Sequence, residues 1–167
     1  MSNKITGIAS KFVIINCNFS IISTFRQLAN VGKMFENIDI AILTSFLYTP
    51  EVGDIVAIDA EQQIGKTIIK RVIATEGQTI KIDYDKNRVI VDGIVIDEDY
   101  VASPTIMPTI GWDVPETVPE GYVFVMGDNR SVSLDSRSGS IQLIPKTMIL
   151  GKAQFVIYPF EHFKYLY

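Results

Sequence analysis

Two stretches of this chain carry residue types suited to chemistry. The first is Gly127 to Arg137, GDNRSVSLDSR, which places two Asp, two Arg, one Asn and three Ser in eleven residues. It follows the apolar run Tyr122–Met126 and contains no Lys or Glu. A Gly-Asp pair after an apolar run reads as a strand ending in a sharp turn. A dense polar loop on a β scaffold locks its side chains through mutual hydrogen bonds. Such a loop is either a self-satisfied structural element or the brace of a site, and composition leaves both open. The second stretch is Ile68-Ile69-Lys70-Arg71-Val72-Ile73, the most apolar setting of any lysine in the chain. A lysine takes a proton from a serine hydroxyl near neutral pH only if its pKa falls by roughly 2–3 from ~10.4. Burial among apolar neighbours does that. Strand alternation puts Lys70 and Arg71 on opposite faces, which suits one interior and one exposed side chain. On the residues alone, Lys70 is an edge-strand or snorkelling lysine or a buried base.

The bulk numbers narrow the alternatives. A length of 167 residues fits one domain, and 47% hydrophobic residues suffice for a core. A formal charge of −4 with no basic run argues against nucleic acid as the main partner. The single cysteine, Cys17, excludes an intrachain disulfide and a cysteine metal cluster, and reads as a small buried apolar residue. The single histidine, His162, excludes multi-histidine metal sites and makes a Ser-His-Asp triad depend on one residue near the C-terminus. Lys, Asp and Glu remain as candidate bases, and no metal or cofactor site is expected. Phe12–Ser23 is the longest apolar stretch, but it is shorter than the ~20 residues of a membrane span and is interrupted by Asn16 and Asn18. It reads as a core strand, an interfacial segment or the remnant of a longer anchor.

The elements that must position these residues are mostly strands. Apolar spacing through Ser23–Phe35 suits a helix, and Ile40–Leu47 reads as a buried strand. From Val52 onward come short alternating runs: Ile55 and Val56 open one strand, Gln62–Lys66 makes a hairpin-like connection, and Thr67–Ala74 is the strand carrying Lys70. Thr79–Asp83 and Arg88–Val91 follow. Asp92-Gly93 between RVIV and IVID is the strongest hairpin signal, suited to a type I′ turn. Residues 102–119 hold four of the seven prolines and read as a long loop. Gly121–Met126 leads into the polar loop, Lys146–Ile149 suits a short helix, and Ala153–Tyr158 is a last strand. The aromatic tail PFEHFKYLY packs on the core or touches a membrane surface. This grammar predicts a mainly β fold of twisted sheets or a partly open barrel, with one long Pro-containing loop and few short helices.

In its order of residues, GDNRSVSLDSR resembles the signature of type I signal peptidases: Gly-Asp-Asn-Arg, two variable residues, Ser, one variable residue, Asp-Ser-Arg. Gly127, Asp128, Asn129, Arg130, Ser133, Asp135, Ser136 and Arg137 fill its fixed positions. VPEGYVFVM, the VDGIVIDEDY hairpin and ILGKAQFVIYPF resemble the family's Gram-positive members. GDIVAID is similar to the strand before the base-bearing strand, and IIKRVIATEGQTI to the base-bearing segment itself. Ala74, Thr75, Glu76 and Gln78 depart from that segment's usual Gly-Leu-Pro-Gly-Asp. The resemblance covers roughly residues 39–160. It implies that Lys70 is a general base, that Ser133 helps to orient its amine, and that Asp135 and Arg137 brace the site. Arg71 and Asp128 join the bracing set, with Asp128 and Arg130 as turn and scaffold residues.

The family's nucleophile pattern, Ser-Met-x-Pro-Thr-Leu, is absent. Val31–Asp39, VGKMFENID, resembles the surrounding family sequence with its Ser, Pro, Thr and Leu missing. Ser20, in Ser20-Ile21-Ile22-Ser23-Thr24-Phe25, is the rival candidate nucleophile, but its register needs about ten extra residues before Asp39. Met107-Pro108-Thr109 has no preceding Ser and lies after the lysine strand. Residues 1–38 are therefore expected to be a degenerate or truncated anchor and nucleophile segment, and 39–167 the signal-peptidase-like β domain. The resemblance implies a serine endopeptidase of the extracytoplasmic membrane face that acts on signal peptides of exported proteins. The alternative it carries is an inactive relative that binds pilin or signal-peptide segments and assists pilus assembly.

Overall fold

The computed structural model describes residues 11–16, 38–44, 48–108, 110–158 and 164–165, with side chains described for 48–108 and 110–153. Ser20, Cys17, His162 and the helix expected over Ser23–Phe35 lie outside the described residues. The strands in chain order are β1 (Lys11–Asn16), β2 (Ile38–Thr44), β3 (Ile55–Ala60), β4 (Lys66–Thr75), β5 (Ile80–Asp83), β6 (Arg88–Val91), β7 (Ile94–Val95), β8 (Tyr122–Met126), β9 (Ile144–Pro145), β10 (Ile149–Tyr158) and β11 (Lys164–Tyr165). Among the described residues, a larger sheet runs β1-β2-β10-β3-β4-β8-β9 with β11 on β10, and a smaller one runs β5-β6-β7. The fold is mainly β, as the alternation predicts. The hairpin-like connection expected at Gln62–Lys66 joins the antiparallel neighbours β3 and β4, and within it Glu61–Ile64 forms one helical turn, ended by Gly65 at φ 69°. A residue with no Cβ suits that left-handed end. The expected helix at Lys146–Ile149 is a single 3-10 turn, Lys146–Met148.

Strand alternation divides the core in two. On β3, β4 and β8, Val56, Ile58, Ile68, Val72, Val123 and Val125 point to one face, where Ile141 and Ile144 cover them. Ile73, Phe124 and Met126 point to the other face and meet Ile80, Val89 and Val91 of the small sheet. Each fully buried aliphatic side chain contributes about 1.5–3 kcal/mol of transfer free energy, so a one-residue slip of β4 would expose one set and bury the charges of the other. An irregularity between Val72 and Ala74 lets Ile73 and Ala74 share the small-sheet side. The small sheet is closed by the expected turn, with Asp92 at φ 52° and Gly93 at φ 77°. The Asp92 carboxylate also accepts from the Thr79 N–H at 2.8 Å and from Gln78 Nε2 at 2.9 Å.

Lys70 is placed by this register. It stands opposite Val56 and between Ile68 and Val72, on the face of the first core. Arg71, one residue on, stands opposite Ile55 and Met126 and points to the other face. β4 is an interior strand between β3 and β8, so Lys70 is not on an edge strand of the sheet. The register with β8 nevertheless begins only at Arg71. Among the described residues, no strand is registered against the second edge of Lys66–Lys70.

Candidate active site

The loop that follows β8 is built around buried charge. Asp135 is fully buried and accepts from Arg137 Nε at 2.8 Å and Nη2 at 2.8 Å, from the Arg137 N–H at 3.2 Å, and from the Gly127 N–H at 3.0 Å. Arg137 spends its other donors on the carbonyls of Ile106 at 2.9 Å and Arg130 at 2.8 Å. Arg130, also fully buried, donates to the Gly127 carbonyl at 3.0 Å and Thr105 Oγ1 at 2.9 Å, and pairs with Glu98. Ser136 closes the loop onto β8: its N–H donates to the Val125 carbonyl and its Oγ accepts from the Val125 N–H, both at 3.0 Å. A buried ion pair is strong only when its polar atoms find further partners, and here every nitrogen of Arg130 and Arg137 makes at least one hydrogen bond.

On the opposite face of β4, Arg71 makes a two-pronged contact with Asp128, Nε to Oδ1 at 3.0 Å and Nη2 to Oδ2 at 2.8 Å. Its Nη1 donates to the Gly53 carbonyl at 2.9 Å, and its guanidinium lies 4.0 Å from the centre of the Tyr100 ring. This arrangement ties β4 to the start of the loop and fixes where Gly127 sits. Arg71, Asp128, Asp135 and Arg137 are therefore in contact with the frame. None of them presents a free charge toward Lys70.

Lys70 and Ser133 meet over Gly127. A Cβ built on Gly127 would lie 2.2 Å from Ser133 Oγ, 2.7 Å from Ser133 Cβ and 3.6 Å from Lys70 Nζ. The Ser133 hydroxyl is buried and has no hydrogen-bond partner. Burial lowers the Lys70 pKa from the ordinary lysine value. The negative charge of Asp135 opposes that, and the positive charges of Lys66 and Arg137 add to it. The two groups thus converge, one an amine whose pKa burial lowers and the other a hydroxyl that carries an unmade-hydrogen-bond cost of about 1–3 kcal/mol. A neutral amine accepts a proton from a hydroxyl brought beside it, and the hydroxyl oxygen then attacks a carbonyl carbon.

The glycine makes this convergence possible, and replacing it is a direct check. Gly127→Ala is expected to cost about 1–3 kcal/mol in urea unfolding, because the new methyl forces Ser133 away. The same substitution in a Ser133→Gly background is expected to cost less, since the atoms it meets are gone. Equal costs in the two backgrounds would show that Gly127 is not held by this contact.

Sequence reasoning brings together Lys70, Ser133, Asp135 and Arg137, and the structure places them in one cluster, with Arg71 and Asp128 behind it. Three other participants escaped it: Glu98 and Thr105 on Arg130, and Trp112, whose Nε1 donates to the Ser136 carbonyl at 2.8 Å. Nothing in sequence spacing links them to the loop, because their contacts span 24 to 32 positions. Among the described residues, no group of His, Cys, Asp and Glu could hold a metal ion.

Comparison with known proteins matches residues 3–158 to the family described as signal peptidase, peptidase S26. The signal peptidase I of Bacillus licheniformis is 36% identical over 118 residues, which covers 67% of this chain and 61% of that protein. Signal peptidase I S of Bacillus subtilis (strain 168) is 32% identical over 149 residues, covering 85% of this chain and 76% of its own length. A crystal structure of a signal peptidase I from Enterococcus faecalis V583 superposes with a TM-score of 0.50 at 27% identity, covering 63% of this chain and 97% of that one.

Proposed function

Because the chain belongs to the signal peptidase family, peptidase S26, we propose that it acts on the signal peptides of exported precursors, with Lys70 as the general base. The observation that carries this reading is the meeting of the depressed Lys70 amine and the unpartnered Ser133 hydroxyl over Gly127. An extended segment added along the second edge of Lys66–Lys70 brings a scissile carbonyl up to that amine, held by main-chain hydrogen bonds. Lys70 takes the proton of an attacking serine hydroxyl, the oxygen bonds to the carbonyl carbon, and the proton passes to the departing amine. Water then releases the acyl group by the same base. Ser133 orients the amine, Asp135 and Arg137 hold the loop, and Arg71 and Asp128 hold the loop to β4. Ser20 is the candidate for the hydroxyl. The site of action is the extracytoplasmic face of the membrane; among the described residues no helix is long and apolar enough to cross one.

A second reading rests on the sequence. Ser-Met-x-Pro-Thr-Leu is absent, and without a hydroxyl beside Lys70 no acyl-enzyme forms. On that reading the same edge binds signal-peptide or pilin segments without cutting them and serves pilus assembly. Incubation of the full chain with a signal-peptide substrate separates the two. Cleavage that Ser20→Ala abolishes supports the first reading with Ser20 as nucleophile; cleavage that it leaves unchanged removes Ser20. Binding with no cleavage supports the second. Absence of both binding and cleavage removes the function proposed here altogether.

A further inference from the structure

A groove of about 250 Å³ opens on the far side of Ser133. One wall comes from the long loop, through Ile106, Met107, Pro108 and Ile110, and the other from the polar loop, through Val132 and Leu134. Val132 is 75% exposed, Met107 66% and Ile110 63%. Exposed aliphatic residues are ordinary when scattered; a cluster lining one depression marks an interaction site. The two loops are tied to each other beneath this cluster. Arg137 holds the Ile106 carbonyl, the Gly139 N–H donates to the Ile110 carbonyl at 2.9 Å, and Ser103 Oγ donates to Asn129 Oδ1 at 2.7 Å. The backbones of the two loops are therefore fixed relative to each other while the side chains above stay exposed, each forgoing part of the roughly 1.5–3 kcal/mol that full burial would give.

The charge of the groove selects its occupant. Arg130 and Arg137 line it, yet their guanidinium groups are committed to Glu98 and Asp135, so no free cation awaits an anion. Among the described residues no lysine lines it, which disfavours a phospholipid headgroup. Ser131, Ser138 and Ser140 add hydroxyls among the apolar walls, a mixture that suits a polypeptide with apolar side chains and a polar main chain. Ser133 belongs to both places, since it lines the groove and its hydroxyl lies beside the Lys70 amine over Gly127.

We propose that this groove binds apolar side chains of the same polypeptide whose scissile bond is presented to Lys70, at residues flanking the stretch that pairs with β4. It is a second, side-chain-reading subsite, and it rests on the peptide-binding function proposed above. Recognition is divided: the strand edge reads main chain and the groove reads flanking apolar residues.

The test uses the full chain and two synthetic peptides. One carries the small-residue cleavage segment of a signal peptide flanked on both sides by Leu; in the other the flanking Leu residues are Ser. Val132→Asp with Met107→Asp alters only exposed side chains of the groove. The double variant is expected to weaken binding of the Leu-flanked peptide at least tenfold and to change the Ser-flanked peptide by less than threefold. Equal effects on both peptides, or no effect on either, overturn the groove; binding of both peptides by the parent chain keeps the β4 reading as a separate result. Loss of sedimentation with phosphatidylcholine vesicles, with unchanged peptide affinity, overturns it in favour of a lipid contact. Failure of the parent chain to bind either peptide removes the underlying function and this subsite with it.

Discussion

Lys70→Met is expected to lower signal-peptide cleavage by roughly 10²–10⁴-fold, the usual contribution of a positioned base, while making the fold more stable at neutral pH. The two effects have one cause. Methionine keeps the bulk of the lysine stem between Ile68 and Val72 and removes the group that takes the proton. In the unfolded chain this lysine titrates near ~10.4; in the fold, burial holds its pKa lower. Between those two values the unfolded chain binds the additional proton. Stability therefore rises with pH across that window, and below the folded value the full penalty is present. A depression of one pH unit corresponds to about 1.4 kcal/mol. The variant should exceed the parent in Tm at pH 7 and lose its advantage above pH ~10.4. A parallel substitution in the exposed turn, Lys86→Met, should change neither rate nor Tm appreciably. If the parent chain binds signal peptide without cutting it, the stability arm of this comparison still applies. A Lys70→Met protein that is less stable than the parent at pH 7 would show that the amine is well solvated or paired.

Asp135→Ala is expected to be the most destabilising single change in the site. It strands the Arg137 guanidinium, which is 2% exposed, and leaves the Gly127 N–H without its acceptor. Breaking one side of a buried ion pair costs about 3–5 kcal/mol, because the remaining charge is left uncompensated. For a domain of this size that is a fall in Tm of roughly 6–20 °C. The loss should also reach Lys70, since Gly127 then moves and the negative charge that opposes the lysine's depression is gone. Asp128→Ala should cost less. Arg71 would keep the Gly53 carbonyl and the Tyr100 ring as partners. Thermal unfolding of the two variants side by side checks the ranking; a larger loss for Asp128→Ala would mean that the Arg71 face carries the loop.

Much of this was legible in the chain because alternation is a local property. The period of two in Thr67–Ala74 is enough to put Lys70 and Arg71 on opposite faces, and the Asp92-Gly93 pair is enough to give a turn with two positive φ angles. The resemblance of GDNRSVSLDSR to the signal peptidase signature led to the family. What local pattern does not hold is partnership at long range. Nothing in the sequence says that Glu98 lies on Arg130 or that Trp112 hydrogen-bonds to Ser136, because those contacts depend on where the long loop comes to rest. The groove was invisible for the same reason. Its two walls are 22 or more positions apart and become one surface only when both loops are pinned. The antiparallel connection at Gln62–Lys66 is legible, but its helical turn is not, because a Gly after a polar run fits a hairpin turn and a helix C-terminus equally well.

The central claim is that the Lys70 amine is held in a state ready to accept a proton. Its titration tests this most directly. Reductive methylation with ¹³C label and NMR detection, or competitive acetylation read residue by residue, follows Lys70 across pH in the folded and in the urea-unfolded chain. The account predicts that Lys70 titrates lower in the folded chain than in the same chain unfolded in urea. Coincident titration of Lys70 in the two states would contradict it.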